Sequence, residues 1–240
     1  MATEEPIPRL SLIVPVRNEE QNLPELLARL AELRASFGEP FEVVAVDDGS
    51  RDGSLAVLQE AARRLPFLRI ESLSPSGGMG AALLHGSQRA GGRYLVWCMA
   101  DLSDRLADVA ALVRRLDEGC DLVLASRAIP GGGYGNLGRF KSFGSRCFSR
   151  LARRVYRVPA HDLTNAFRSM TRELLFSLDL ESRDFAISPE LVIRAHRAGA
   201  RLAEVPTVYS FRRAGQSDFR LFRMGWKYLR LLWRLRGATR

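Results

Sequence analysis

Two adjacent carboxylates end an apolar run in Val43-Val44-Ala45-Val46-Asp47-Asp48-Gly49-Ser50, and Arg51-Asp52-Gly53-Ser54 follows. The run reads as a strand that delivers both acids to its carboxyl end. Ligands of open α/β sheets bind in the crevice outside those ends, so acids placed there face a substrate more often than a core. An ordinary β-turn with an aspartate capping the next helix is the alternative. It suits Asp52, but one cap does not require two neighbouring carboxylates.

A second chemical feature lies near the C-terminus. Arg220, Arg223, Lys227, Arg230 and Arg234 recur at 3,4,3,4 spacing and form one basic stripe on a helix. Phe219, Phe222, Trp226, Leu229 and Trp233 flank it on one side, and Leu221, Met224, Tyr228, Leu231 and Leu235 on the other. Cations bordering an apolar face with tryptophans suit an interfacial helix at an anionic leaflet. A helix packed on the protein with its stripe in water is the competing reading.

The elements that must position these residues alternate. Leu10–Val16, Phe41–Val46, Leu68–Ser72, Tyr94–Met99 and Leu122–Ala125 read as strands, and a strand with Pro206, expected at an edge, lies around 202–211. Helices are expected over Asn22–Arg34, with Pro24 in the first turn, over Ser54–Arg64, after Gly77-Gly78-Met79-Gly80 as far as Ala90, and over Ala107–Leu116 and Phe140–Tyr156. The alternation predicts an α/β fold, a mostly parallel Rossmann-like sheet with flanking helices and a C-terminal amphipathic helix. The glycine-rich stretch Ile129–Gly138 reads as a mobile loop between residues 1–127 and 128–216 of one domain, and 217–240 form the basic helix.

The chain of 240 residues has 46% hydrophobic residues, enough for a sizeable core. Cys98, Cys120 and Cys147 have no metal-ligand spacing and are expected as free thiols filling small core positions. Residues 1–120 hold 13 Lys/Arg against 18 Asp/Glu, whereas residues 121–240 hold 23 against 9. An acidic nucleotide-and-metal half joined to a basic half that meets phosphates would divide this way. Nucleic-acid binding ranks last, because the cations do not interleave with aromatics on a recognisable RNA or DNA module. No signal peptide is evident, and no apolar run approaches the roughly 18 to 20 residues of a spanning helix. The expectation is a soluble or peripheral cytoplasmic protein.

Several segments, in order, resemble those of family-2 glycosyltransferases of GT-A fold, in particular the dolichyl/polyprenyl-phosphate mannose synthase group. They are Ile13-Val14-Pro15-Val16-Arg17-Asn18-Glu19-Glu20, Val46-Asp47-Asp48-Gly49-Ser50, Gly78-Met79-Gly80 with His85-Gly86, and Met99-Ala100-Asp101-Leu102-Ser103. Ser126-Arg127, Asp162-Leu163-Thr164-Asn165-Ala166-Phe167-Arg168, Glu204-Val205-Pro206, Arg212 and Gly215-Gln216-Ser217 complete the set.

By that resemblance Pro15, Arg17, Glu19, Asp47, Asp48 and Ala100 line a sugar donor's nucleotide pocket. Carboxylates there accept hydrogen bonds from base N–H groups and ribose hydroxyls. Arg17 stands where the family often has an aromatic residue, and a guanidinium can also stack on a base. A nucleoside diphosphate leaving group calls for Mg²⁺ or Mn²⁺ held by oxygen ligands. The family's D-x-D begins here with Met99, a poor ligand for such cations, which leaves Asp101 with help from Ser103 or Asp104. Asp104 capping the helix after it is the equal alternative. Arg127 and Arg212 resemble positions that grip the donor pyrophosphate and, with Asp101, carry catalysis.

Asp218 replaces a lysine common after the family's Ser217 position, and Arg213 or Arg220 could substitute for it. Arg139, Lys141 and Arg146 suit an acceptor phosphate, with the glycine-rich loop folding over bound substrate. The implied reaction moves a hexose, mannose by preference, from GDP-mannose or a UDP-hexose to a polyprenyl phosphate at the cytosolic membrane face. Transfer to a soluble acceptor, or a silent nucleotide-sugar-binding scaffold, are the other readings.

Overall fold

The computed structural model describes residues 8–210 and 221–237, the side chains of 221–224 and 237 excepted. Arg212, Arg213, Gly215-Gln216-Ser217, Asp218 and Arg220 lie outside the described residues. The first half runs β1 (Leu10–Val16), α1 (Leu23–Ser36), β2 (Phe41–Asp47), α2 (Ser54–Ala62), β3 (Leu68–Ser72), α3 (Met79–Arg89), β4 (Tyr94–Trp97), α4 (Val109–Asp117) and β5 (Leu122–Ser126), with a 3-10 turn, Leu106–Asp108, leading into α4. There follow α5 (Arg139–Tyr156), β6 (Arg168–Thr171), α6 (Arg172–Ser177), α7 (Ile187–Arg197), β7 (Leu202–Pro206) and α8 (Leu221–Gly237).

These strands make one seven-stranded sheet of order β3-β2-β1-β4-β6-β5-β7. Pairing is parallel except at β6, which runs antiparallel to both β4 and β5. The mostly parallel sheet is as expected, and β7, with Pro206, takes an edge. A strand at Arg168–Thr171 was not expected. It lies between β4 and β5, so the chain beyond residue 127 adds strands to the same sheet as residues 1–127.

Strand residues alternate between two apolar cores, as a sheet covered on both faces requires. Ile13, Val44, Val46, Leu95 and Trp97 enter the core that α3, α5, α7 and α8 cover. Leu12, Val14, Val43, Ala45 and Val96 enter the one that α1, α2 and α4 cover. Of the cysteines only Cys98 is a buried core residue; Cys147 is exposed on α5, correcting the expectation for it.

Pro15 has no N–H with which to extend a ladder. The β1–β4 register accordingly stops at Ile13↔Trp97, while the β1–β2 register continues to Val16↔Asp47. β1 and β4 therefore part toward their carboxyl ends. The strand order also reverses here, since β1 leads to β2 on one side and β4 joins it on the other, the switch point where α/β sheets open a crevice.

A buried ion pair closes the far side of this edge. The Arg127 Nε donates to Asp162 Oδ2 at 2.7 Å and Nη2 to Oδ1 at 2.9 Å, with almost no solvent at either side chain. Burial pushes the Asp162 carboxyl up, but the charge and hydrogen bonds of Arg127 outweigh it and hold the carboxyl below its ordinary 3.8. Such a depressed group contributes stability that is fully present above the ordinary value and is lost as the pH falls through the folded value. Asp162→Ala, which leaves the guanidinium buried and unpaired, should cost about 3–5 kcal/mol in urea unfolding. Asp162→Asn should lose stability at neutral pH and show a shallower loss than wild type on acidification below pH 3.8; equal acid limbs would contradict this role.

Candidate active site

The carboxyl ends of β1, β2 and β4 converge on the crevice. Beyond β1, Arg17 is exposed and Asn18 is left-handed at φ 55°. Asn18 stitches the β1 and β2 loops together, its amide donating to Ser50 Oγ at 3.0 Å and its Oδ1 accepting from the Arg51 amide at 2.8 Å. The buried Glu19 accepts from the Asn22 side-chain amide at 2.6 Å, which turns its carboxylate toward the start of α1. Asp52 accepts from the Ser54 amide and hydroxyl at the start of α2, matching the capping alternative for that residue.

Asp47 and Asp48 are both buried and are used differently. Asp47 Oδ2 accepts from the Ser50 amide at 3.3 Å, while its Oδ1 is buried with no hydrogen-bond partner. A buried acceptor without a donor is costly, and at a crevice it marks where a ligand N–H or O–H fits. Asp48 instead holds the glycine turn before α3: its carboxylate accepts from the Gly77 amide at 2.6 Å, the Gly78 amide at 2.9 Å and Ser76 Oγ at 2.9 Å. Arg17 leans over this group, donating to Ser76 Oγ at 2.9 Å with Asp48 Oδ2 at 3.8 Å.

Asp101, Ser103 and Asp104 follow β4. Leu102 between them is left-handed at φ 62°, uncommon for a branched residue and characteristic of functional turns. This turn lets Asp101 Oδ1 accept from the Ser103 amide at 3.1 Å. Asp104 does not cap the helix after it; Oδ2 reaches back to accept from the Met99 amide at 2.7 Å. Burial, reinforced by the Asp101 charge, pushes the Asp104 carboxyl up to about 7 despite that amide. Ala100 directs its methyl into the core, so only its backbone can serve a ligand.

Among the described residues no three His, Cys, Asp or Glu side chains stand close enough to form a metal cage. A cage is not what Mg²⁺ or Mn²⁺ beside a diphosphate needs, since one or two carboxylates plus substrate oxygens suffice. Asp101 and Asp104 fit that requirement: two hard-oxygen carboxylates on one turn, the second buried beside the first with its charged form disfavoured.

Arg127, expected on a donor pyrophosphate, has its fork on Asp162 and Nη2 also 3.0 Å from Thr164 Oγ1. The fork is thus engaged within the protein, at the wall formed by the 162–164 segment. Tyr134, from the glycine-rich loop, lies between two guanidiniums, with Arg127 Cζ at 5.1 Å and Arg146 Cζ at 4.7 Å from the ring centre. The loop is itself tied down, Gly133 bridging to Val208 beyond β7. Arg146 thus packs on this loop through Tyr134, while the exposed Arg139 and half-buried Lys141 occupy the first turn of α5. The predicted Arg212 lies outside the described residues. Asp162, Thr164, Ser76 and Tyr134 had no role assigned from sequence; Asp162 and Thr164 stand in a quoted motif, but nothing local marks their partner 35 or more positions away.

α8 docks on the protein by one flank of its stripe: Tyr228, Leu231 and Leu235 are buried, with Tyr228 stacked 4.5 Å from Phe148 of α5. Lys227 and Arg234 pair with acidic groups of the protein, so the stripe is not a purely solvated one. The other flank is open, with Trp226 72% and Trp233 79% exposed.

Comparison with known proteins agrees with this geometry. The family described as "Glycosyl transferase family 2" matches residues 11–177. A polyprenol monophosphomannose synthase of Mycolicibacterium smegmatis is 31% identical over 223 residues, which are 90% of this chain and 83% of that protein. An undecaprenyl-phosphate 4-deoxy-4-formamido-L-arabinose transferase of Pseudomonas aeruginosa is 30% identical over 220 residues, covering 91% of this chain and 62% of the relative. A solved glucosyl-3-phosphoglycerate synthase of Mycobacterium tuberculosis, in complex with Mn²⁺, UDP and its glucosyl product, superposes with TM-score 0.76 at 21% identity, over 97% of this chain and 81% of that one. That likeness establishes a GT-A-like fold. With an acid-lined crevice at the sheet's switch point and a family match across most of the sheet, the chain belongs to glycosyl transferase family 2.

Proposed function

We propose that this chain transfers a hexose, mannose in our reading, from a nucleoside diphosphate sugar to a polyprenyl phosphate, with inversion and with assistance from Mg²⁺ or Mn²⁺. The observation that carries the donor half is the convergence of Asp47, with its unpartnered buried oxygen, and the Asp101/Asp104 pair on one crevice. Asp47 receives an N–H or O–H of the nucleoside, and Arg17 closes over it. Asp101 and Asp104 hold the cation, which when bound neutralises charge on the departing diphosphate. Arg212 is proposed as a second cation on the diphosphate, and Arg127, its charge balanced by Asp162, shapes the wall beside it.

The acceptor half rests on the relatives. The mannose synthase and the arabinose transferases carry different sugars in their names and share a polyprenyl-type carrier, which supports the lipid phosphate more firmly than the sugar. Arg139, Lys141 and Arg146, at and near the positive N-terminal end of α5, suit a phosphate monoester. That acceptor is already an anion and needs little help from a general base. No described helix is long and apolar enough to cross a membrane. Contact with a bilayer is proposed through the open flank of α8 together with Phe140, 83% exposed, and Phe143 on the adjacent α5. Arg150, Arg153, Arg154 and Arg157 line a depression at the other end of α5, which would favour anionic lipid there.

Three outcomes are expected. Purified protein given radiolabelled GDP-mannose, UDP-glucose and polyprenyl phosphate should form a glycolipid from one donor only with Mg²⁺ or Mn²⁺; equal transfer to soluble acceptors would overturn the acceptor assignment. Asp101→Ala should abolish the manganese-dependent gain in donor affinity measured by calorimetry, and an unchanged gain would remove Asp101 from the cation. Trp226→Ser with Trp233→Ser should reduce the partition coefficient onto anionic vesicles, read by co-sedimentation, by about thirtyfold while leaving the fold intact, each exposed indole contributing on the order of 1 kcal/mol at an interface.

A further inference from the structure

We infer that α8 is a working part of the donor pocket, in which Lys227 and Arg234 act as positioning residues for the glycine turn that Asp48 holds. The inference rests on the donor reading above and goes beyond α8 as a membrane contact.

The path is continuous. Lys227 Nζ pairs with Asp184. Arg234 Nη2 donates to Glu190 Oε1 at 2.9 Å and to Ser182 Oγ at 3.3 Å, and its Nη1 lies 3.3 Å from Glu181 Oε2. Glu190 is fully buried and also accepts from the Glu181 and Ser182 amides at 3.2 and 2.8 Å. Two side chains of α8 thus fix the 181–184 loop at both ends.

That loop lies directly on the turn before α3. The Arg183 carbonyl accepts from the Ala81 amide at 3.1 Å, satisfying one of the N–H groups that the start of a helix leaves without an intrahelical partner. A Cβ on Gly78, whose φ is +91°, would come within 2.7 Å of the Arg183 carbonyl oxygen. A Cβ on Gly80 would come within 2.8 Å of the Arg183 carbonyl carbon and 2.9 Å of the Asp184 oxygen. Backbone meets backbone there, with no flexible side chain to absorb a shift. From the opposite side Asp48 accepts from the Gly77 and Gly78 amides. The turn is therefore clamped between Asp48 and the 181–184 loop, and displacement of the loop by loss of its α8 partners would move the amides that fix the Asp48 carboxylate beside Asp47.

The two sides of α8 then have separable tasks. Lys227 and Arg234 act on the donor edge in the absence of any lipid, whereas Trp226 and Trp233 face away from it. GDP and UDP binding by the full chain, with Mn²⁺ and without lipid, should show Lys227→Met and Arg234→Met raising the Kd of the bound nucleotide by about tenfold, the order of a lost partner in a coupled network. Lys227→Arg should restore it, and Trp226→Ser and Arg230→Met should leave it unchanged. Amide hydrogen exchange should quicken at Gly77, Gly78 and Ala81 in the two weakened variants while β1 stays protected, which separates local release from general unfolding. Wild-type nucleotide affinity in both Met variants, or unaltered exchange at those three amides, overturns the inference. If neither nucleotide binds the wild-type chain, the donor reading fails instead, and the exchange measurement still decides whether α8 holds the turn.

Discussion

The Arg127–Asp162 pair joins the end of β5 to the segment before β6 with almost no solvent at either side chain, and much of the site is arranged around that neutralised charge. Burying an ion pair is tolerable only when the remaining hydrogen-bonding positions are filled. Here Thr164 takes a further guanidinium N–H, the Arg127 amide donates to Asp162, and the Asp162 amide donates to Glu204 of β7. Nearby, Arg168 is fully buried, and its guanidinium donates to the backbone carbonyls of Ala166, Ser188, Leu163 and Asn165. Burial brings its pKa down to about 9, which still leaves it charged at neutral pH. The 162–168 segment is therefore anchored by side chains and by backbone along its whole length.

Antiparallel β6 follows from the same constraint. The chain must return from α5 through the 162–166 segment to place Asp162 against Arg127, and it then enters the sheet between β4 and β5. Once there, Met170 pairs with Leu95 on one side and Leu122 on the other, filling a gap that two parallel strands would otherwise leave. The acidic half of the sequence thus supplies β3-β2-β1-β4 and the basic half β6-β5-β7, and the two meet at the antiparallel β4–β6 pair.

What could be read from the residues follows from the range of the interactions involved. β1, β3 and α2 each declared themselves through apolar runs and local caps, and the starts of β2, β4 and β5 were legible for the same reason. Asp47 and Asp48 were legible as a pair because a strand and its turn are consecutive in sequence. β6 was not, since Arg168-Ser169-Met170-Thr171 has neither alternation nor a branched apolar run and is a strand only because its neighbours supply the ladder. The hold of Asp162 on the Arg127 fork was not legible, because nothing near Arg127 in sequence shows that partner. Asp104 looked equally like a ligand or a helix cap, and its bond to the Met99 amide goes with the left-handed turn at Leu102, for which leucine gives no warning. Glu190 had no role assigned from sequence, and it is fully buried with Arg194 and Arg234 donating to it.

The stripe on α8 shows why a periodic pattern alone could not assign a face. Its cations were consistent with lipid and with water, and the structure adds a third environment, the acids of the 181–190 segment. Helical geometry makes this possible: at 3.6 residues per turn Lys227 and Arg234 lie on nearly the same side, with Tyr228, Leu231 and Leu235 beside them toward the core. Trp226, Leu229 and Trp233 lie on the other side of the stripe and cannot reach that core without unseating the first set. The charges nearest the core are therefore held by protein, and the tryptophans remain outside, so a single helix of this sequence meets the 181–190 segment with one side and presents the other outward.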